Sequence, residues 1–532
     1  MATTGSIFDT EANRIEEVLS KQIDTMLPTM DPAWRDTVIT SQGVGSPSEF
    51  SKDLQVNKLF RGGVTGVIDG GGPAGDWSIY GTAGSTLGKK LRLDGTAAAF
   101  PDALEGAKQA TYKMTVPMKA LHTNLALSLA EMQMDATPAV VDQVIAPTLQ
   151  GFAQNLSHTL CNYWYVSQND SYMLDEVVSR SAPDDTDAPG GTNPASAFVS
   201  SVITLKGKLT DRFNVGQRVD VVSANGGDRR NSAGDDATGT RINCWVNAVD
   251  DIKGTVELIS DDNASYNGDT SWMIDIAATD RIVLANSGLP QAGAAASAYS
   301  GIAGINSWLK GGDGNGSTVN NANTLLGTES ITGAAINVND HPEFKSFFKG
   351  SVGALTEGKL RKYVRRFHAA KGKYGMSMDC LIASDGVWLS YEAQKVGQYI
   401  IDRTNGLSSL NSQGSEDGFN FYFEGRNYKG YTSNYVDSGV VYGIKKSGNN
   451  WKRYVAPDYS GLTSMGEAPS HVPFRFVMPA LTGTNSAKFP LLASGAVTEQ
   501  VQMPGMLRMQ LIPDQAAGMK LSGCDVDVEY GD

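Results

Sequence analysis

The sequence predicts an α+β chain of several domains. Three observations carry that prediction: one long stretch of helical periodicity, a later block of alternating apolar and polar residues, and a C-terminal half that mixes strands and helices without a βαβα rhythm. At 532 residues, 41% of them apolar, the chain can bury more than one core, in about two to four domains.

The helical stretch starts at Thr137, a good N-cap, with Pro138 at the first helical position, where a missing N–H costs nothing. Val141, Val144, Ile145, Leu149, Phe152, Leu156 and Leu160 then form an apolar stripe that continues to about Val166. A helix of that extent is about 40 Å long, with a kink expected at Pro147, and it suits a structural spine. The aromatics Tyr163, Trp164 and Tyr165 at its end read as core or interface in preference to a stacking platform for sugars or bases.

Upstream, Ile15, Val18, Leu19, Ile23 and Met26 recur at helical spacing, with Glu11, Glu16 and Glu17 near the start and Pro28 as the expected stop. The chain through Pro32 and Pro47 is expected to be extended, so residues 1–61 read as an arm. Gly62 to Gly95 is dense in glycine, which cannot pack a core of its own. Residues 62–115 are expected to form a long hairpin that lies on another surface, and residues 116–205 to carry the long helix, followed by a polar loop from Asp170 to Pro194.

Beyond that loop the period changes from near four to two. Val219 and Val221, then Ile242, Cys244, Val246 and Ala248, then Val256 and Leu258, then Ile282 and Leu284 alternate with polar residues, separated by turns such as Asn225-Gly226-Gly227 and Lys253-Gly254. This predicts an inserted β-barrel of about 80 residues, 206–286, with its ends close together. In 287–470, Leu355-Thr356-Glu357 opens a helix carrying Leu360, Val364 and Phe367. Met378 to Ala383 reads as a buried strand and Ser384-Asp385-Gly386 as the cap of a further helix. Strands are expected again across 471–532.

Charge and motifs narrow the function classes. The 57 acidic side chains outnumber the 44 basic ones, a formal charge of -13, which disfavours a dedicated nucleic-acid binder. The four cysteines, Cys161, Cys244, Cys380 and Cys524, have no metal-ligand spacing and read as buried reduced thiols. None of the five histidines falls within ligand spacing of another. There is no HExxH, no Gly-x-Ser-x-Gly and no Walker loop, and Asp250-Asp251 and Asp261-Asp262 lack the calcium-loop spacing and read as solvated turns. No catalytic, metal or cofactor site is predicted. The segment Met1 to Asp9 lacks the order of a signal peptide, and no run of about 18 apolar residues occurs. The expected compartment is a cytoplasm.

The order of arm, glycine-rich hairpin, spine helix and mixed domains resembles the major capsid proteins of tailed bacteriophages, the Hong Kong ninety-seven phage-type fold shared with herpesvirus shells and encapsulins. Two passages sharpen the resemblance. Phe213-Asn214-Val215-Gly216-Gln217-Arg218-Val219-Asp220, with Gly254-Thr255-Val256-Glu257-Leu258 and Ala278-Thr279-Asp280-Arg281-Ile282, is similar to the inserted domain of some members. Leu355-Thr356-Glu357-Gly358-Lys359-Leu360, followed by Asp379-Cys380-Leu381-Ile382-Ala383-Ser384, looks like the helix, strand and helix of the axial domain. The resemblance implies an N-arm, an E-loop, peripheral and axial domains, and self-assembly as pentamers and hexamers into an icosahedral shell around the genome. It also implies a portal, decoration proteins and packaged double-stranded DNA as partners. The front of the chain departs from members with a built-in helical scaffold, which implies a separate scaffolding protein. An encapsulin-like compartment and a polysaccharide-binding or hydrolysing surface protein, the latter prompted by Trp245 and Trp272, are the competing classes.

Two basic features are candidates for contact between subunits. Lys89 and Lys90 invite comparison with members that crosslink a loop lysine to a neighbour's asparagine, although a lysine pair on a glycine loop ordinarily is a solvated tip. Lys359, Arg361, Lys362, Arg365, Arg366, Lys371 and Lys373 cluster on one predicted helix. A neighbour's acidic surface is the preferred partner for Arg361, Arg365 and Arg366, with packaged DNA as the alternative.

Overall fold

The computed structural model describes residues 19, 22–23, 25–39, 55–65, 108–117, 119–128, 146–166, 173–182, 199–207, 210–223, 229–231, 242–260, 272–285, 302–311, 324–329, 335–338, 344–372, 375–402, 419–423, 426–447, 450–455, 474–476, 491–492 and 500–526. Within them lie four sheets, of six, six, four and six strands, and five defined helices. The mixture is α+β, as composition and periodicity predict.

The N-terminal region is more built-in than an arm. Leu19, Ile23 and Leu27 are fully buried, and residues 25–30 are helical, so the helix runs past Pro28 to Met30. The break comes at Asp31, whose side chain accepts from Ala33 N at 3.2 Å and caps a second helix, α1, Pro32–Thr37. The expected extended chain is corrected here. Asp31-Pro32 is a cap followed by a proline at the first helical position, which fixes a helical φ where no N–H is needed. Val38–Ile39 then pairs in parallel with Trp451–Val455.

Gln55–Thr65 and Lys108–Pro117 form a long antiparallel pair, from Gln55 opposite Pro117 to Thr65 opposite Lys108, with a register slip between Arg61 and Val64. Trp77 to Tyr80, Lys89 and Lys90 lie outside the described residues. Lys119–Ser128 continues into a different sheet, against Gln500–Pro513.

The spine helix, α2, spans Ala146–Val166. Its 21 residues span about 30 Å. Thr137 lies outside the described residues, and Pro147 stands in the first turn of the described helix. Leu156, Leu160, Cys161, Tyr163, Trp164 and Tyr165 are buried. The last turn is received by α3, Ile305–Trp308. Asn306 Nδ2 donates to Tyr165 O at 2.7 Å, satisfying a carbonyl that the helix leaves unpaired. A Cβ at Gly304 would collide with the carbonyls of Tyr163 and Trp164, so only glycine allows this approach.

Six antiparallel strands form a second sheet in the order Val219–Val222, Arg281–Leu284, Met173–Arg180, Val199–Leu205, Thr255–Ser260, Cys244–Asp250. Its outer strands meet: Arg218 bridges Trp245, Gly216 N donates to Val246 O at 2.8 Å and Val246 N to Gln217 O at 3.0 Å. The sheet thus closes on itself at this point, through the residues just before Val219. The predicted strands at 219–284 are present, but two more belong to the sheet, and the boundary at 206 cuts it in two. Met173–Arg180 replaces part of the expected polar loop. Its charges hid it: Asp175 is buried and accepts from Gly207 N at 3.0 Å, and Arg180 Nε donates to Ile276 O at 3.0 Å. Ala248 faces solvent instead of the interior because the register slips between Val246 and Ala248, a bulge that reverses the alternation. Incoming and outgoing strands are neighbours, Met173 opposite Val283.

The fourth sheet, Phe347–Lys349, Met519–Leu521, Val441–Ile444, Cys380–Ala383, Arg426–Thr432 and Phe419–Phe423, carries the remaining helices. These are α4, Glu357–Lys371, and α5, Asp385–Asp402. Leu360, Val364, Phe367, Val387 and Trp388 pack with Leu381, Tyr428 and Leu521 in a core of their own.

Asp36 ties α1 to this sheet. It accepts from Tyr431 Oη at 2.6 Å, Lys429 Nζ at 2.8 Å, Lys446 Nζ at 3.1 Å and Arg35 Nε at 3.1 Å. Partial burial pushes its carboxyl up, but the four donors outweigh that and hold it well below the usual carboxylate range. A depressed carboxylate stabilises the fold above its ordinary pKa, near 4, and loses that contribution as pH falls further. Asp36→Asn is therefore expected to lower the unfolding temperature at pH 7 by a few degrees, with the difference from wild type shrinking below about pH 4; an equal difference at both pH values would contradict it.

The closed sheet yields a second test. Residues 173–285 expressed alone should unfold cooperatively with β-type circular dichroism. Residues 206–286 lack two central strands and should give a random-coil spectrum. A folded 206–286 would show that those strands are dispensable.

Candidate interaction surfaces

Helix α4 presents the clearest charged face. Thr356 caps it by accepting from Lys359 N at 3.2 Å, and Glu357 pairs with Arg361 at 2.5 Å one turn on. Its inner side, Leu360, Tyr363, Val364, Phe367 and Lys371, is buried. The predicted stripe is correct, but the seven-cation cluster reduces to four. Lys359 is committed inside the fold, its Nζ donating to Val352 O at 2.7 Å and Ala354 O at 2.9 Å. Lys371 is 6% exposed because its stem completes the buried face, and Lys373 lies outside the described residues. Arg361, Lys362, Arg365 and Arg366 are exposed.

A cleft of about 640 Å³ opens where four parts of the chain meet. Asp31 enters from the N-terminal side, His158 and Asn162 from α2, Thr210 to Val215 and Asp251 from the closed sheet, and Thr432 to Tyr435 from the loop after Arg426–Thr432. Asp31 accepts from Tyr165 Oη at 2.6 Å, and burial pushes its carboxyl up to about 6. His158 is held by Tyr435 Oη at 3.2 Å and Asp211 O at 2.9 Å, and burial lowers its pKa. It is thus a positioned packing residue. Arg212, 2% exposed, binds Leu174 O at 2.8 Å, Tyr435 O at 2.6 Å and Asp437 Oδ1 at 3.0 Å. It fastens the closed sheet to the loop of the fourth sheet. The floor retains unmet polarity: neither amide atom of Asn162, nor Arg212 Nε, has a hydrogen-bond partner among the described residues.

The features that suggested other chemistry resolve structurally. Tyr163, Trp164 and Tyr165 are core residues. Trp272 is fully buried, its Nε1 donating to Ser260 Oγ at 3.0 Å, and half-buried Trp245 carries Arg218 over its ring at 5.6 Å. Neither offers a sugar-stacking face. Asp250 accepts from Ile252 N and Lys253 N, each at 3.1 Å, as a turn aspartate does; Asp261 and Asp262 lie outside the described residues. All four cysteines are free and buried. Among the described residues there is no group of three metal-ligating side chains, and no helix is long and apolar enough to cross a membrane. The cleft itself left no trace in the sequence, because its walls are up to about 400 residues apart in the chain.

The chain matches no family model and no curated protein. Solved structures do match. The capsid asymmetric unit of cyanophage A-1(L) is similar over 93% of this chain and 93% of its own, at 10% identity and a TM-score of 0.35. That of cyanophage Pam1 covers 92% of each, at 7% identity and a TM-score of 0.31. The holo encapsulin complex of Synechococcus elongatus covers 35% of this chain and 55% of its own, at 13% identity and a TM-score of 0.19. The two phage capsid structures are thus similar over nearly the full chain, and the encapsulin over about a third of it.

Proposed function

We propose that this chain is the major capsid protein of a tailed phage, a subunit that associates with copies of itself to build the virion shell and carries out no chemistry. The order of elements supports this reading: a long antiparallel strand pair flanking residues 66–107, then α2, then a closed sheet whose two ends are adjacent, then α4, a buried strand and α5. In such a subunit the strand pair is the base of the E-loop, α2 the spine of the peripheral domain, the fourth sheet with α4 and α5 the axial domain, and the closed sheet an insertion facing the capsid exterior. Assembly takes place in the host cytoplasm, with a separate scaffolding protein, a portal and non-specific contact to packaged double-stranded DNA. Each contact between copies is modest, and symmetry multiplies it.

Expression of the full chain, alone and with a co-expressed scaffolding protein, tests the reading by negative-stain microscopy. Uniform shells or polyheads are expected, and monomers under every condition would overturn it. Arg361, Arg365 and Arg366 are assigned to contacts between copies, so Arg365→Glu with Arg366→Glu should reduce empty-shell formation. Normal empty shells with failed DNA packaging would place that face against DNA instead. Lys89 and Lys90 are assigned to a solvated tip: particles boiled in denaturant should run as monomers on a gel, and a ladder of multiples would reassign them to a covalent crosslink.

A further inference from the structure

We infer that the cleft is the receptor for α4 of a second copy: Lys362 and Arg366 of one subunit dock against Asp211 and Asp251 of its neighbour. The inference rests on the self-assembly reading and specifies which surfaces meet. On the donor side, Lys362, Arg366 and Ala370 lie four residues apart, so they form one strip along the helix. All three are exposed, and neither Lys362 nor Arg366 has an ion pair within the chain among the described residues.

On the receptor side, Asp211 and Asp251 are exposed, line the same cleft, and make no ion pair among the described residues. The cleft's one guanidinium, Arg212, is turned inward onto Leu174, Tyr435 and Asp437 and does not neutralise them. Two cations one turn apart thus face two carboxylates in one concavity. The rim adds apolar surface: Val215 lines the cleft at 70% exposure, and Ile252, next to Asp251, is 76% exposed. These are the most exposed large apolar residues described, and aliphatic tips in water beside a cleft suit the foot of a docked strip that ends in Ala370.

Asn162 adds unmet polarity to the cleft lining. It lines the cleft at 1% exposure with both amide atoms unbonded among the described residues. A buried amide without partners is costly. A metal ion is a poorer occupant, since no three ligating side chains converge there among the described residues.

The test uses the full chain and reads particle yield by sedimentation. Asp211→Lys with Asp251→Lys, and separately Lys362→Glu with Arg366→Glu, should each reduce assembled protein by about tenfold or more, because like charges then face each other. The four changes combined restore opposite charges and should recover most of the yield. A second arm is independent of yield: Asp251→Cys protein mixed with Arg366→Cys protein should give disulfide-linked dimers under mild oxidation, and neither alone should, since the native cysteines are all buried. Wild-type protein that never self-associates overturns the capsid reading. Wild-type particles with unaffected reversal variants overturn this pairing while leaving that reading intact. Loss of assembly without recovery in the combined variant, together with no mixed dimer, means that α4 is not the occupant. If a reversal variant changes the thermal unfolding profile, the mixed-cysteine arm alone decides.

Discussion

The constraint on which the structure depends is the burial of the C-terminal end of the spine helix. A helix end exposes carbonyls, and a buried end must have them met. Here Trp164 is fully buried and enclosed edge-to-face by Trp34 of α1 at 5.3 Å and Trp451 at 6.1 Å. Tyr165 anchors Asp31 on one side, and Asn306 meets its carbonyl on the other. Three distant segments therefore converge on one helical turn. Trp308 Nε1 extends the contact to Leu511 O at 2.8 Å, which brings in the long strand Gln500–Pro513. Once that turn is enclosed, α1, α3 and two sheets have little freedom in where they can sit.

Around this apolar centre lies a polar seam whose groups would be costly alone. Lys520 is buried and donates to Asn306 Oδ1 at 2.9 Å, and burial pulls its pKa down to about 8. Asp175 is likewise buried, and loss of water pushes its carboxyl up to about 7. Arg212 spans the same seam with three acceptors. Removing a single partner here leaves a buried charge uncompensated, which costs more than the intact interaction gains. Such a seam determines orientation more than it adds stability: apolar side chains tolerate sliding, whereas a guanidinium bound to two carbonyls and a carboxylate does not.

What the sequence revealed follows from the same division. Thr356-Glu357 before Leu360, and the alternation from Val219 to Leu258, were legible because local capping and one-sided burial write a period into the chain. The strand Met173–Arg180 was not legible, because Asp175 and Arg180 are satisfied by hydrogen bonds and so carry no hydrophobic signal. Lys371 misled for a related reason: its charge suggested water, while its stem lies in the core. The bulge at Val246–Ala248 reversed the faces of a strand whose existence was plain. The cleft depends on residues far apart in the chain, and only tertiary packing assembles it.

On the proposed self-assembly reading, copies of the chain face a general repulsion, since a net charge of -13 opposes every close approach. Salt weakens that repulsion over roughly 8 Å but leaves contact distances governed by local charge. The available remedy is to place exposed cations on the surface that makes contact. The chain separates its cations in this way. Arg212, Lys359, Lys429, Lys446 and Lys520 are consumed inside the fold, each with named acceptors. The four on the outer face of α4 are held at one edge of a helix whose inner side is locked into its own core, so their positions are fixed before any partner arrives. Preorganised charge of this kind loses less entropy on docking than lysines on a loose segment would. The rigid helix, more than the number of cations it carries, is what fits this face for recognition.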